Sequence, residues 1–121
     1  MNTTDKISRP FQSESTENLF IRRQEILTAI PELDLAHVIR ASLITRSVKC
    51  GKPNCRCANG EGHKSFYLSS YSNGKTRLDS VPKSYKEKVA QCTREYDELM
   101  ALVTELSYIN LELFRRREID L

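Results

Sequence analysis

The stretch SFYLSSYSNGKTRLDSV, residues 65–81, decides the fold. Asn73-Gly74 stands between two runs rich in aromatic, branched and hydroxyl residues. A two-residue type I′ turn needs positive φ at both central positions, and Asn-Gly accepts that at little cost. Such a turn fixes the register. It sets Tyr71 opposite Thr76, Ser69 opposite Leu78 and Tyr67 opposite Ser80 on one side of a hairpin. Phe66 then faces Val81, and Leu68 faces Asp79, on the other. The base is apolar and is expected to pack. The tip, with Lys75 and Arg77, is expected to stand in water.

Immediately upstream lies KCGKPNCRCANGEGH, residues 49–63, with three of the four cysteines and one of the two histidines. A zinc ion takes four thiolate or imidazole ligands in a tetrahedron. A short loop can supply them only if its backbone curls, and Gly51, Pro53, Gly60 and Gly62 lie within this one. The spacing C-x4-C-x-C-x5-H makes Cys50, Cys55, Cys57 and His63 a candidate Cys3His zinc site. With four protein ligands and no open position, it reads as structural rather than catalytic. Two other readings stand beside it. The thiols can be plain residues of a mobile loop, or Cys55 and Cys57 can form a strained redox bridge that Cys50 resolves, activated by Lys52 and Arg56. Farther upstream, SLITRSV within residues 36–48 has the branched character of a strand entering the loop.

Helices are expected on both sides of this module. Leu19, Phe20, Ile26, Leu27 and Ile30 form a helical stripe, and Pro31 ends the helix or starts a short second one. Downstream, Ser84 and Glu87 have capping-box spacing. No Gly or Pro occurs in residues 83–121, so one helix of about 50 Å is expected. Val89, Tyr96, Val103 and Asn110 alternate with Cys92, Leu99, Leu106 and Leu113 in a seven-residue rhythm. Leu99, Val103, Leu106, Asn110 and Leu113 are therefore a candidate dimer seam, and a homodimer is expected. Cys92 reads as core and His37 as a structural histidine. The fold expected is α+β: an N-terminal helix, a small antiparallel β-hairpin module and a long C-terminal helix with a coiled-coil-like seam. Residues 1–15 are expected to be a disordered tail. Residues 16–121 form a single domain, with helix over 16–35, the basic cysteine and β module over 36–82 and the long helix over 83–118.

Charge sharpens the functional reading. The 121 residues carry a net charge of +3, yet residues 37–77 hold eight basic groups against Glu61 alone. That module is thus +7 and the remainder −4. A one-signed surface suits an anionic partner. Arg46, Lys49, Lys52, Arg56, Lys64, Lys75 and Arg77 are the candidate phosphate contacts. Tyr67 and Tyr71 either stack on exposed bases or pack the hairpin. No apolar run reaches the ~20 residues a membrane span needs. Residues 1–15 lack a signal-peptide core, so a cytoplasmic, reducing location without membrane contact is expected.

CGKPNCRC, then His63, FYLS, GKT, VP and a long helix with Asn110 before Leu111-Glu112-Leu113, resembles an uncharacterised family of short prokaryotic proteins of unknown function. The resemblance covers residues 41–117. It implies a zinc-ribbon-like module and an association with mobile genetic elements, and supplies no activity. The leading expectation is a small accessory or regulatory protein that binds nucleic acid, DNA more than RNA, with bound zinc. The alternative is a protein–protein adaptor whose long helix binds a partner while the zinc module is only a scaffold. No nucleophile–base pair, paired carboxylates or phosphate loop appears, so no enzyme is expected. GKT at residues 74–76 is a turn.

Overall fold

The computed structural model describes residues 9–60 and 62–121, apart from the side chain of Cys57. It is α+β, with an N-terminal helix, a three-stranded antiparallel sheet and a long C-terminal helix. The chain divides into two compact units. One joins the described residues up to Leu33 with Glu98–Leu121, and the other is Asp34–Asp97. The long helix contributes to both.

In the first unit, helix α1 (Thr16–Ala29) starts where the Ser15 hydroxyl accepts the Asn18 amide at 3.1 Å. That bond satisfies one of the helix's orphan donors. Pro31 sits in the short 3-10 turn Ile30–Glu32 that ends it. Leu19 and Ile26 of α1 are buried with Leu102, Ile109 and Leu113 of α2 (Lys86–Arg115). Phe20 and Ile30 pack against that core, while Leu27, expected on the same stripe, is exposed. Thr16 meets Arg116 and Arg22 meets Glu105, so the two helical segments run antiparallel.

The ends of this unit are tied by charge. Arg116 donates to Glu112 Oε2 at 2.9 Å, to the Thr16 hydroxyl at 3.0 Å and to the carbonyls of Phe11, Gln12 and Glu14. Of the expected tail, residues 1–8 lie outside the described residues, whereas residues 11–14 are held by this guanidinium. The long helix stops at Arg115 rather than at residue 118. The Arg117 amide bonds the Phe114 carbonyl at 2.9 Å, and the Glu118 amide bonds that of Leu113 at 2.8 Å. This is a Schellman closure with Arg117 at φ 57°, where glycine is usual. The returning chain packs Ile119 on the core and pairs Asp120 with Arg23.

In the second unit, β1 (Ser42–Val48), β2 (His63–Ser72) and β3 (Lys75–Val81) form a sheet in that order. The β2–β3 register sets Tyr71 on Thr76, Ser69 on Leu78, Tyr67 on Ser80, Leu68 on Asp79 and Phe66 on Val81, as the turn chemistry requires. Asn73 and Gly74 have φ of 52° and 77°. SLITRSV is β1 and completes the sheet against β2. The face carrying Phe66 and Val81 is covered at its base, while Lys64, Lys75, Arg77 and Asp79 farther along it are exposed. Val81 is buried, and the Lys86 ammonium lies over the Phe66 ring at 4.6 Å. The Ile39 amide also donates to the Cys92 carbonyl. Ser84 does not cap α2. It lies inside a 3-10 turn, Lys83–Tyr85, whereas a capping residue needs extended backbone.

Three carboxyls of the first unit are held below the ordinary carboxylate range: Glu105 by its hydrogen bond from Arg22, Glu112 by that from Arg116 and Asp120 by that from Arg23. A group with a depressed folded pKa binds fewer protons folded than unfolded, so stability rises with pH across its titration. The stabilisation is complete above the unfolded carboxylate range of about 4 and is lost as pH falls below it. The thermal midpoint is therefore expected to drop steadily from pH 6 to pH 3. Glu112→Gln is expected to lower the midpoint at pH 7 and make that drop shallower, which thermal melts across pH will read.

Candidate metal centre

The β1–β2 connection holds the cysteines. β1 ends at Val48 and β2 begins at His63, its register partner, so the intervening loop must leave and return at one point. Gly51 takes φ 81°, which turns the chain directly after Cys50. Two turn hydrogen bonds follow, Cys55 amide to Lys52 carbonyl at 3.1 Å and Ala58 amide to Cys55 carbonyl at 3.0 Å. The Lys49 ammonium reaches back to the Ala58 carbonyl at 3.3 Å. Gly62 closes the loop against the backbone of its start. A Cβ there would lie 2.4 Å from the Val48 carbonyl carbon and 2.7 Å from the Lys49 nitrogen. Only glycine permits that approach.

The result is a cluster. The donor atoms of Cys50, Cys55 and His63 all lie within 4.8 Å of one another, with Cys55 Sγ 3.1 Å from His63 Nε2. Tetrahedral zinc with bonds of about 2.0–2.3 Å would set its donors roughly 3.5–3.8 Å apart. The residues therefore fit a metal ion after shifts of less than about an ångström. Two thiols and an imidazole are a soft to borderline donor set, which hard oxygen-seeking cations do not favour. The side chain of Cys57, the fourth expected ligand, lies outside the described residues; its backbone is in the short 3-10 turn Arg56–Asn59.

The structure distributes the expected phosphate contacts over several surfaces. Lys49, Lys52 and Arg56 stand on the metal loop, and all three are exposed. Arg46 shares a sheet face with Tyr67 and lies over its ring at 5.9 Å. Lys64, Lys75 and Arg77 alternate onto the other sheet face and are exposed there. The expected dimer seam is divided likewise. Leu113 is fully buried in the core with α1, Leu106 packs against that core, and Asn110 accepts from Arg23 at 3.3 Å. Leu99 is half-buried, and Val103 is exposed at 40%.

Sequence reasoning missed two features. One is the Arg116 hub, which no periodicity marks. The other is a groove in the second unit lined by Asp34, His37, Gln91, Cys92 and Glu95 among others. There His37 is exposed and its Nδ1 lies 2.8 Å from Asp34 Oδ2, so it is a surface pair rather than a packed histidine. The Asp34-x-x-His37 spacing was the available signal. Cys92 lines the same groove, half-buried rather than in the core.

Among the described residues no helix is long and apolar enough to cross a membrane. The model of a family described as a domain of unknown function (DUF6788) matches residues 16–91, which include the whole cysteine loop and the sheet. No curated protein and no solved structure matches the chain.

Substitution at the loop closure gives a direct check. Gly62→Ala is expected to cost about 1–3 kcal/mol, because the added methyl overlaps the Val48–Lys49 backbone and forces it to shift. Cys55→Ser and His63→Ala are each expected to weaken metal retention by tenfold or more, and Cys92→Ser to leave it unchanged. Competition with a chromophoric chelator will measure these differences.

Proposed function

The chain belongs to the DUF6788 family, and we propose that it is a small nucleic-acid-binding protein whose basic sheet module is held by a structural zinc ion at Cys50, Cys55, Cys57 and His63. The observation that carries this reading is the coincidence of charge and site. The loop that gathers the donors also bears Lys49, Lys52 and Arg56, and Glu61 is the only acidic residue between His37 and Arg77. A metal held by two or more thiolates gives a loop with little apolar content a fixed shape. The exposed cations are then displayed in fixed places rather than on a wandering segment. Phosphates are the partners this charge suits, with DNA ahead of RNA, in an accessory or regulatory role.

The salt dependence of binding tests the proposal. Each phosphate neutralised by Lys or Arg releases counterions, so affinity falls steeply with salt. A labelled oligonucleotide is expected to lose roughly tenfold or more in affinity between 50 and 200 mM salt. Lys52→Ala with Arg56→Ala is expected to reduce the logarithmic salt slope by about 1–2. Salt-insensitive or absent binding contradicts the proposal.

The long helix supports a proposed homodimer. Beyond the stripe spent on α1, Met100, Val103, Leu111 and Phe114 are all exposed. At 100° per residue they share one side of the helix, turned away from Leu102, Ile109 and Leu113. Val103 is the member of the expected seam that remains available. Val103→Asp with Leu111→Asp is expected to halve the mass measured by light scattering. A monomeric mass for the unaltered chain would favour the adaptor reading, in which this stripe meets a different protein.

A further inference from the structure

The open face of the sheet refines what kind of nucleic acid is bound. Side chains alternate along a strand, and directly paired residues share a face. Phe66, Leu68 and Val81 therefore belong to the covered side, and Ile44, Tyr67, Leu78 and Tyr71 to the other. That other side is uncovered where it matters. Tyr71 is 66% exposed and Leu78 41% exposed, with Val48 exposed at the loop end. Tyr67 is half-buried beneath Arg46, and Tyr71 has no such cover among the described contacts. The tyrosines are four residues apart on β2, about 13 Å along the strand. The sheet's one carboxylate, Asp79, stands on the covered side opposite Leu68.

We infer that this face binds single-stranded nucleic acid, with unpaired bases stacking on Tyr71 and Tyr67 and the phosphates running toward the metal loop. The inference rests on the proposed nucleic-acid function and names its substrate. A duplex hides the faces of its bases in the stack, so it can use the loop's cations but not the rings. A strand with free bases can use both. Charge favours this occupant over an apolar protein segment. The strand positions of the face carry no acidic residue and one cation, Arg46 over an aromatic ring; Lys64, Lys75 and Arg77 stand on the opposite face, and Lys49, Lys52 and Arg56 follow in the loop beyond Val48. The geometry gives a continuous path. His63 begins β2 at the metal centre and Tyr71 lies near its far end, so the loop fixes the phosphate end of a face about 26 Å long.

The test uses the zinc-loaded full chain and four labelled probes: a 20-nucleotide thymidine strand, a uridine strand of that length, an abasic strand of that length and a 20-base-pair duplex. At 150 mM salt the thymidine strand is expected to bind at least tenfold tighter than the abasic strand or the duplex. Tyr71→Ala is expected to lose roughly tenfold on the thymidine strand and little on the abasic one. Tyr71→Phe is expected to retain binding, because stacking uses the ring and not the hydroxyl. Tyr71 is so exposed that circular dichroism should show both variants folded. Tight binding of either the thymidine or the uridine strand supports the inference, and the preferred one identifies the source. Equal affinity for all four probes, with Tyr71→Ala silent, overturns the single-strand inference and leaves the nucleic-acid reading standing. No salt-sensitive binding to any probe overturns both.

Discussion

Cys55 Sγ and His63 Nε2 lie 3.1 Å apart across a loop whose two ends are adjacent strands. That approach is the constraint on which the second unit turns. β1 and β2 cannot pair through Val48 and His63 unless the fourteen-residue stretch between them returns on itself, and its return runs over the Val48–Lys49 backbone at Gly62. An unbraced loop of this composition has few apolar side chains with which to offset the entropy of being ordered. The turn at Gly51 and the closure at Gly62 bring the donors of Cys50, Cys55 and His63 within 4.8 Å of one another, and a metal ion held there would give the loop an alternative to a packed core.

The long helix has the opposite problem, too much apolar surface for one neighbour. α1 has 14 residues and α2 has 30. Leu19 and Ile26 cover Leu102, Ile109 and Leu113, and the flanking ion pairs Arg22–Glu105 and Arg23–Asp120 fix the antiparallel alignment. Glu112 shows how closely this end is built. It is almost fully buried, yet Arg9, Arg115 and Arg116 all lie within 4.0 Å of its carboxylate. A buried carboxylate is tolerable only with such company. Arg116 in turn ties the segment Phe11–Glu14 before α1 to the end of α2.

Much of this was legible. Asn73-Gly74 specified the hairpin and its register residue by residue, because a type I′ turn leaves no freedom in the pairing. SLITRSV revealed β1 through its branched residues, and Pro31 marked the end of α1. The grouping of Cys50, Cys55 and His63 was visible because Cys and His are rare and their spacing is short. Other features follow from chemistry that spacing does not encode. The stop of α2 was hidden because Arg117 adopts the left-handed conformation that usually announces itself as glycine. The heptad rhythm found an apolar seam but could not say who fills it. Residues at a seven-residue period read the same whether α1 or another chain is opposite, and here Leu106 and Leu113 are spent on the first. Tyr67 and Tyr71 could be read either as packing or as platforms; the sheet register places them on the face opposite Phe66 and Val81.

X-ray absorption at the zinc edge of the purified protein is the most direct test of the metal-locked loop. One zinc per chain is predicted, with sulfur scatterers near 2.3 Å and an imidazole nitrogen near 2.0 Å. A protein that carries no zinc, and whose melting is unmoved by added zinc or by chelator, would contradict it.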